Sequence, residues 1–269
     1  VITTHTTGGD FHVSTSSIAY IDTGDSDIGR DALVDTGATL NIDADTVVRG
    51  GDATTSGTGI IANTAGTPTL ILHGTGQIGG GTGFITLYDL VIGNATATAV
   101  TTLASSATST TDVAVGTGST FNINSNLFLD GGDLTTSGTG IINYTSGTPT
   151  VDIDNTGTLG GGTGGITFYS LDLGDGTTDT TTLSTNNISI NNNLVVNGNQ
   201  TFTVGTNSIT VGLSSVSNSG GISVASGGAY SQTGGTTVMR SSASGAANIG
   251  GAGATTFYNL DIGSSTTDN

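Results

Sequence analysis

Residues 50–93 read GGDATTSGTGIIANTAGTPTLILHGTGQIGGGTGFITLYDLVIG, and residues 131–174 read GGDLTTSGTGIINYTSGTPTVDIDNTGTLGGGTGGITFYSLDLG. The two segments align without a gap at an offset of 81 residues, with 28 identities in 44 positions. A third, partial copy, IGGAGATTFYNLDIG at 249–263, matches LGGGTGGITFYSLDLG at 159–174 with a one-residue gap. Tyr88, Tyr169 and Tyr258 are therefore equivalent, at spacings of 81 and 89 residues. An internal repeat of this kind constrains the architecture before any single element is assigned.

A shorter beat runs inside the long one. Apolar triplets such as Ile188-Ser189-Ile190, Leu194-Val195-Val196 and Ile209-Thr210-Val211 are each followed by turn residues rich in Gly, Asn and Ser. Segments starting at Thr167, Ile188 and Ile209 lie 21 residues apart, so about four units fill an 81-residue period. Two or three short strands and Gly/Asn corners per unit of about 20 residues are the requirements of one coil of a parallel β-solenoid. The expected fold is all-β: an elongated parallel β-solenoid with coils of about 20 residues. About thirteen of them would make a rod near 60 Å long at about 4.8 Å per coil. Inward Val, Ile, Leu and Phe would stack in rows, with Thr on the outward strand faces. Tandem β-sandwich domains of 80 to 90 residues are the alternative, but they call for longer alternating strands and clear hairpin turns.

Composition points the same way. Among 269 residues there are 46 Gly, 54 Thr, 28 Ser, 20 Asn and 20 Asp, with no Lys, Glu, Cys or Trp. Helices lack their usual solvent-facing residues here, whereas Thr, Asn, Asp and Gly favour strands and turns. A mean hydropathy of +0.11 and 33% apolar residues in short runs argue for a buried core over disorder. The only cations are Arg30, Arg49 and Arg240, and the net charge is −17. Nucleic acid is thereby disfavoured as a partner, because phosphate neutralisation needs Lys and Arg. No apolar run approaches the roughly 18 residues of a spanning helix, so membrane insertion is not expected.

The strings TFYSLDLG and TFYNLDIG, the segment ISINNNLVVNGNQTFTVGTNSITV and the absence of Lys together resemble a known kind of protein. The resemblance is to the Gly/Thr/Asn-rich β-helical surface proteins: bacterial and archaeal adhesin stalks, autotransporter passengers and filamentous-haemagglutinin-like repeats. It covers about residues 50–269 and implies an extracellular, cell-surface location and a structural or adhesive role. The domain reading is an Asp-rich N-terminal segment 1–49, repeat 1 at 50–130, repeat 2 at 131–211 and a partial repeat 3 at 212–269. Joining Asn269 to Val1 reads GSSTTDNVITTHTT, similar to the GDGTTDTTTLS continuation at Gly174. That similarity has two readings: the N-terminal segment of one subunit continues the β-structure of the next, a head-to-tail contact that makes a filament with copies of itself, or the chain is a piece of a longer repetitive protein, which would give the same join.

Candidate chemistry is sparse. Asp22, Asp25, Asp27 and Asp31, with intervening Gly, offer oxygen ligands to calcium, although the spacing is not that of an EF-hand. Solvated loop acids are the plain alternative, and no other cofactor is expected. Asn94, Asn143, Asn187 and Asn199 stand in N-x-S/T sequons, no more numerous than composition predicts, and are the candidate N-glycosylation sites. Dense Thr could carry O-glycans. His5, His12 and His73 lie in unrelated contexts, and His73 is replaced by Asp154 in the second copy. Asp152 and Asp154 are the pair to watch for acid–base work, yet their first-copy equivalents are Ile71 and His73, and an enzyme is not expected. The Gly79–Gly81 run lacks the Lys and helix context of a phosphate loop. Thr-rich stretches at 96–102 and 177–182 raise a remote ice-binding alternative.

Overall fold

The computed structural model describes residues 6–212, 220–241 and 247–264. They form 35 short strands and no helix, distributed over three parallel sheets in strict rotation. Sheet I takes strands 1, 4, 7 and so on, from Thr6–Thr7 and Ser26–Ile28 to Ala254–Thr256. Sheet II begins with Phe11–Val13 and ends with Leu260–Ser264, and sheet III runs from Ile18–Ile21 to Asn248–Gly251. Sheets I and II have 12 strands and sheet III has 11, and each strand pairs in parallel with those one coil away. The chain is a three-sided β-solenoid, and the sandwich alternative, which needs antiparallel pairing, is excluded. Eleven coil-to-coil steps of about 4.8 Å give a stack about 53 Å long.

Coils are less uniform than the beat of about 20 residues. Asp27 pairs with Val47, a step of 20, whereas Phe202 pairs with Tyr230, a step of 28. Register also differs by one residue from the 21-residue spacing read at Thr167. Ile188 pairs with Ile166, not Thr167, and then with Ile209. The physical reason is the two-residue period of a strand: the Thr167 register would turn Ile188 outward, whereas Ile166, Ile188 and Ile209 are all buried.

The long repeat holds a second surprise. Ala53–Thr55 of the first copy is the eighth strand and lies in sheet II, whereas its equivalent Leu134–Thr136 is the nineteenth and lies in sheet I. Eleven strands separate equivalent strands, which is three and two-thirds coils, not four. The same count separates Gly157–Gly160 from Asn248–Gly251, although there the residue spacing is larger. Each repeat is therefore rotated by one side of the prism relative to the last. Tyr88, Tyr169 and Tyr258 consequently sit at three different corners.

Inward rows build one core. On sheet I, Ile28, Val48, Leu72, Ile92 and Val115 stack in register, and each is at most 1% exposed. Burying such a side chain contributes about 1.5–3 kcal/mol. Tyr230, stacked on Phe202 in another inward row of the same sheet, is buried with its hydroxyl donating to Thr237 Oγ1 at 2.6 Å while Thr237 donates to Gln232 Oε1 at 2.9 Å. Burial pushes that phenol up to about 12.

Corners are held by acceptor oxygens that take backbone N–H groups from the neighbouring coil. Asp52 Oδ1 accepts from Gln77 N at 2.7 Å, and its second-copy equivalent Asp133 accepts from Thr158 N at 2.7 Å. Asp89 and Asp112 serve Asp112 N and Asp133 N in the same way. Asp is favoured because a short carboxylate reaches one coil along the stack and satisfies a donor the strand ladders leave free. The Gly run has a different cause. A Cβ on Gly164 would lie 2.0 Å from the carbonyl oxygen of Gly140, and one on its equivalent Gly83 would lie 1.9 Å from that of Gly59. Only glycine lets these loops stack at coil spacing.

Candidate functional site

The N-terminal acids fall into three situations. Asp27 lies on the outward row of sheet I and receives both Arg49 Nε at 2.7 Å and Nη2 at 2.6 Å, which lowers its pKa from the usual value. Asp31 receives Asp52 N at 3.4 Å. Asp22 and Asp25 share a groove of about 350 Å³ with Asp43 and Asp45 of the next coil. Asp22 Oδ1 is buried there without a hydrogen-bond partner. The four residues expected to bind calcium thus do not converge, and among the described residues no three His or Asp side chains are placed to hold one metal ion.

The same groove recurs 81 residues further along the chain without the acids. Ser106, Asn124, Ser125, Asn126, Thr148 and Pro149 line it, in place of Asp25, Asp43, Ala44, Asp45, Thr67 and Pro68. Asp43 Oδ1 accepts from Thr64 N at 2.6 Å, and Asn124 Oδ1 accepts from Thr145 N at 2.8 Å. Asp45 and Asn126 repeat the substitution, accepting from Thr69 N and Thr150 N at 2.8 and 2.9 Å. Coil stacking needs an acceptor oxygen at these positions and is indifferent to its charge.

A different face stands out when the two repeats are compared. Six of the differing pairs are apolar on both sides and buried in the second copy, such as Leu87 and Phe168. The outward row of sheet I, Val47, Ile71, Val91 and Ala114, corresponds to Phe128, Asp152, Asp172 and Val195 on sheet III. Two apolar residues have become carboxylates directly opposite each other on adjacent strands, an arrangement that costs stability. Burial pushes Asp152 up to about 7, with the charges of Asp154 and Asp172 adding to it. Burial likewise raises Asp154 and Asp172, the latter opposed by Asn197 Nδ2, which donates to Asp172 Oδ1 at 2.8 Å. Since Ile71 and Val91 fill the same strand positions, the fold itself does not call for these acids. Perturbed, costly groups of this kind mark functional-site candidates.

Beside Asp172 the surface opens into a groove of about 430 Å³, lined by Thr150, Tyr169, Ser170, Asp172, Asn192 and Asn193. Tyr169 stands at its corner with the edge of Tyr144 against it, ring centroids 5.7 Å apart at 80°. Asn191 Nδ2 donates to the Tyr144 hydroxyl, and Asn192 Nδ2 donates to Ser170 Oγ at 3.2 Å. Tyr144 replaces Asn63 of the first copy. No known protein family, curated protein or solved structure matches this chain. Tyr144, Asp172 and the asparagines escaped the reading of single residues. The signal that finds them is the set of outward positions where the second repeat departs from the first.

The remaining candidates are placed as follows. Asn94 is half-buried, its Oδ1 accepting from Thr96 N at 2.9 Å and its Nδ2 lying 3.1 Å from His73 Nε2; burial lowers the pKa of His73. Asn143 is partly buried in the strand Ile141–Asn143. Asn187 is exposed and accepts from Ser208 N at 2.8 Å, and Asn199 is exposed at φ 65° with its Nδ2 on Gly176 O at 2.8 Å. His5 lies outside the described residues, and His12 pairs with Asp35 one coil away at 3.1 Å. Of the Thr stretches, Thr182 joins an outward hydroxyl row on sheet I with Thr158, Thr203, Ser231 and Thr256. The adjacent row, Thr180 and Thr201, gives way to Ala229, while Thr102 stacks between Gln77 and Asn122.

Proposed function

We propose that the protein is a structural subunit of an extracellular filament or surface layer that assembles head to tail with copies of itself. The observation that supports this reading is the regular coil-on-coil stacking of parallel strands, which among the described residues runs into an apolar layer. Leu260 and Ile262 are 41% and 62% exposed, whereas their repeat equivalents Leu171 and Leu173 are fully buried by the coil above. Among the described residues, the strand Leu260–Ser264 pairs on one side only, with Thr237–Ser241. An apolar layer with an open strand edge is stabilised by another coil of the same kind, and stacking that does not close on itself extends into a fibre. Charge supports the same reading. All three arginines are spent on acids one coil away, Arg30 on Asp10, Arg49 on Asp27 and Arg240 on Asp261. The net −17 then falls on the flanks, where it opposes side-to-side association and phosphate binding.

Electron microscopy of the purified chain, with calcium or with EDTA, tests the proposal. Regular filaments with an axial repeat near 53–60 Å are expected, and Ile262→Asp abolishes them. Isolated short rods from the unaltered chain at high concentration would refute self-assembly. The second reading is the stalk of a larger cell-surface adhesin, favoured by the same apolar layer, since a continuing chain would cover it. In that case the chain stays monomeric and the longer protein is an extended rod. The single hydroxyl row on sheet I supports an ice-binding role only weakly, because its neighbouring row turns to alanine.

A further inference from the structure

The geometry points to a saccharide-binding groove on sheet III of the second repeat, built around Tyr169, Asp172, Asn192 and Asn193 and shaped for an uncharged pyranose unit. Its volume of about 430 Å³ lies in the range of ligand sites, about 300–1,000 Å³, large enough for one or two sugar rings. A pyranose presents an apolar C–H face and a rim of hydroxyls that both donate and accept. The groove supplies the complement: the aromatic body of Tyr169 for the apolar face, carboxamides of Asn192 and Asn193 that donate and accept, and the Asp172 carboxylate as an acceptor for hydroxyl donors.

Three features make the groove a prepared surface. Tyr144 braces Tyr169 edge-on and is itself held by Asn191, so the platform is fixed before a ligand arrives. Asn197 Nδ2 holds the Asp172 carboxylate at 2.8 Å, and the Leu173 backbone N–H donates to it as well, so the acceptor is fixed in place. Part of the groove and its brace are places where the second repeat departs from the first. Tyr144 replaces Asn63, Ser170 replaces Asp89 and Asp172 replaces Val91, whereas the corner tyrosine, Tyr88 or Tyr169, is kept in both.

Charge decides which saccharides fit. Asp152 stands opposite Asp172 on the adjacent strand, and Asp154, Asp130 and Asp175 lie within electrostatic reach of the Asp152–Asp154 pair. A uronate, sulfated sugar or phosphate would meet the like charge of Asp172 and no cation in the groove lining. A peptide strand finds no opening here either, since Thr150–Ile153, Ser170–Leu173 and Asn193–Val196 are paired on both sides within the sheet. The inference is independent of filament formation and holds for a subunit or a stalk alike.

The test is a glycan array carrying neutral, uronic and sulfated oligosaccharides, probed with the intact chain, with positives titrated by calorimetry. Binding confined to neutral oligosaccharides is expected. Tyr169→Leu should weaken it at least tenfold without changing the melting temperature, Tyr169→Trp should retain it, and Tyr88→Leu at the equivalent corner should leave it unaltered. Should Tyr169→Leu fail to fold, Asn193→Ala at an exposed position takes its place, with a loss of at least threefold expected. No neutral glycan bound, preferential binding of uronates, or a folded Tyr169→Leu chain that binds as well as the original would each overturn the assignment.

Discussion

Asp152 gives the sharpest test of the electrostatic reading of sheet III. Its pKa is pushed up to about 7 by burial and by Asp154 and Asp172, with Asp130 adding to the effect, against an ordinary value of 3.8. Between about pH 4 and pH 7 the folded chain therefore holds a proton that the unfolded chain has released. Stability must fall as pH rises through that window, and the penalty is complete above pH 7. A shift of about three units corresponds to an upper bound of roughly 4 kcal/mol, which partial exposure and solvent screening reduce to about 1–2 kcal/mol. Asp152→Asn removes the titration while keeping the shape. The variant should gain about 1–2 kcal/mol at pH 8 and almost nothing at pH 4, measured by urea denaturation at each pH. The lowered acids Asp27, Asp35 and Asp175 act in the opposite sense at and below about pH 4, outside this window. The reasoning fails if the variant and the original lose stability in parallel between pH 4 and pH 8. It fails equally if the Asp152 carboxyl, followed by carbon NMR, titrates near 4.

Neighbouring glycines should respond in opposite ways. Gly164→Ala drives a Cβ to 2.0 Å from a backbone oxygen and should cost at least about 2 kcal/mol. Gly165→Ala meets nothing within 4 Å and should change the unfolding free energy by less than about 0.5 kcal/mol, in keeping with the exposed Phe84 at the equivalent position. At the corners, Asp43→Asn should be near neutral because Asn124 does the same work. Asp43→Ala should cost about 1–2 kcal/mol by orphaning Thr64 N and Ala65 N, a contrast that thermal melts will read. Phe121→Ala, at a fully buried position, should cost about 3–5 kcal/mol in the same assay.

The all-β class, the parallel solenoid and the inward apolar rows were legible in the chain because a strand's two-residue period and a coil's short beat are local properties. Gly and Asn at corners followed from the same local chemistry, whereas the Asp carboxylates that accept from the next coil did not. The rotation of each repeat by one side of the prism was not legible. A residue spacing of 81 counts chain length, whereas the face on which a residue lands depends on how many strands that length is cut into, and loops of different length hide the count. Register at Ile166 was missed for a related reason, since an apolar residue and an adjacent Thr both begin plausible triplets and only burial against the neighbouring coil decides between them. The candidate site was half visible: Asp152 and Asp154 could be singled out, but Asp172 and Asn193 come from later coils, and nothing local marks Tyr144, in the loop before Asp152. Sequence alone determined the kind of fold, because backbone propensity and apolar periodicity act within a few residues. The tertiary structure alone decided which carboxylates share a face and which are tied to an arginine or a backbone amide, because electrostatic contacts act through space between groups about 20 residues or more apart in the chain.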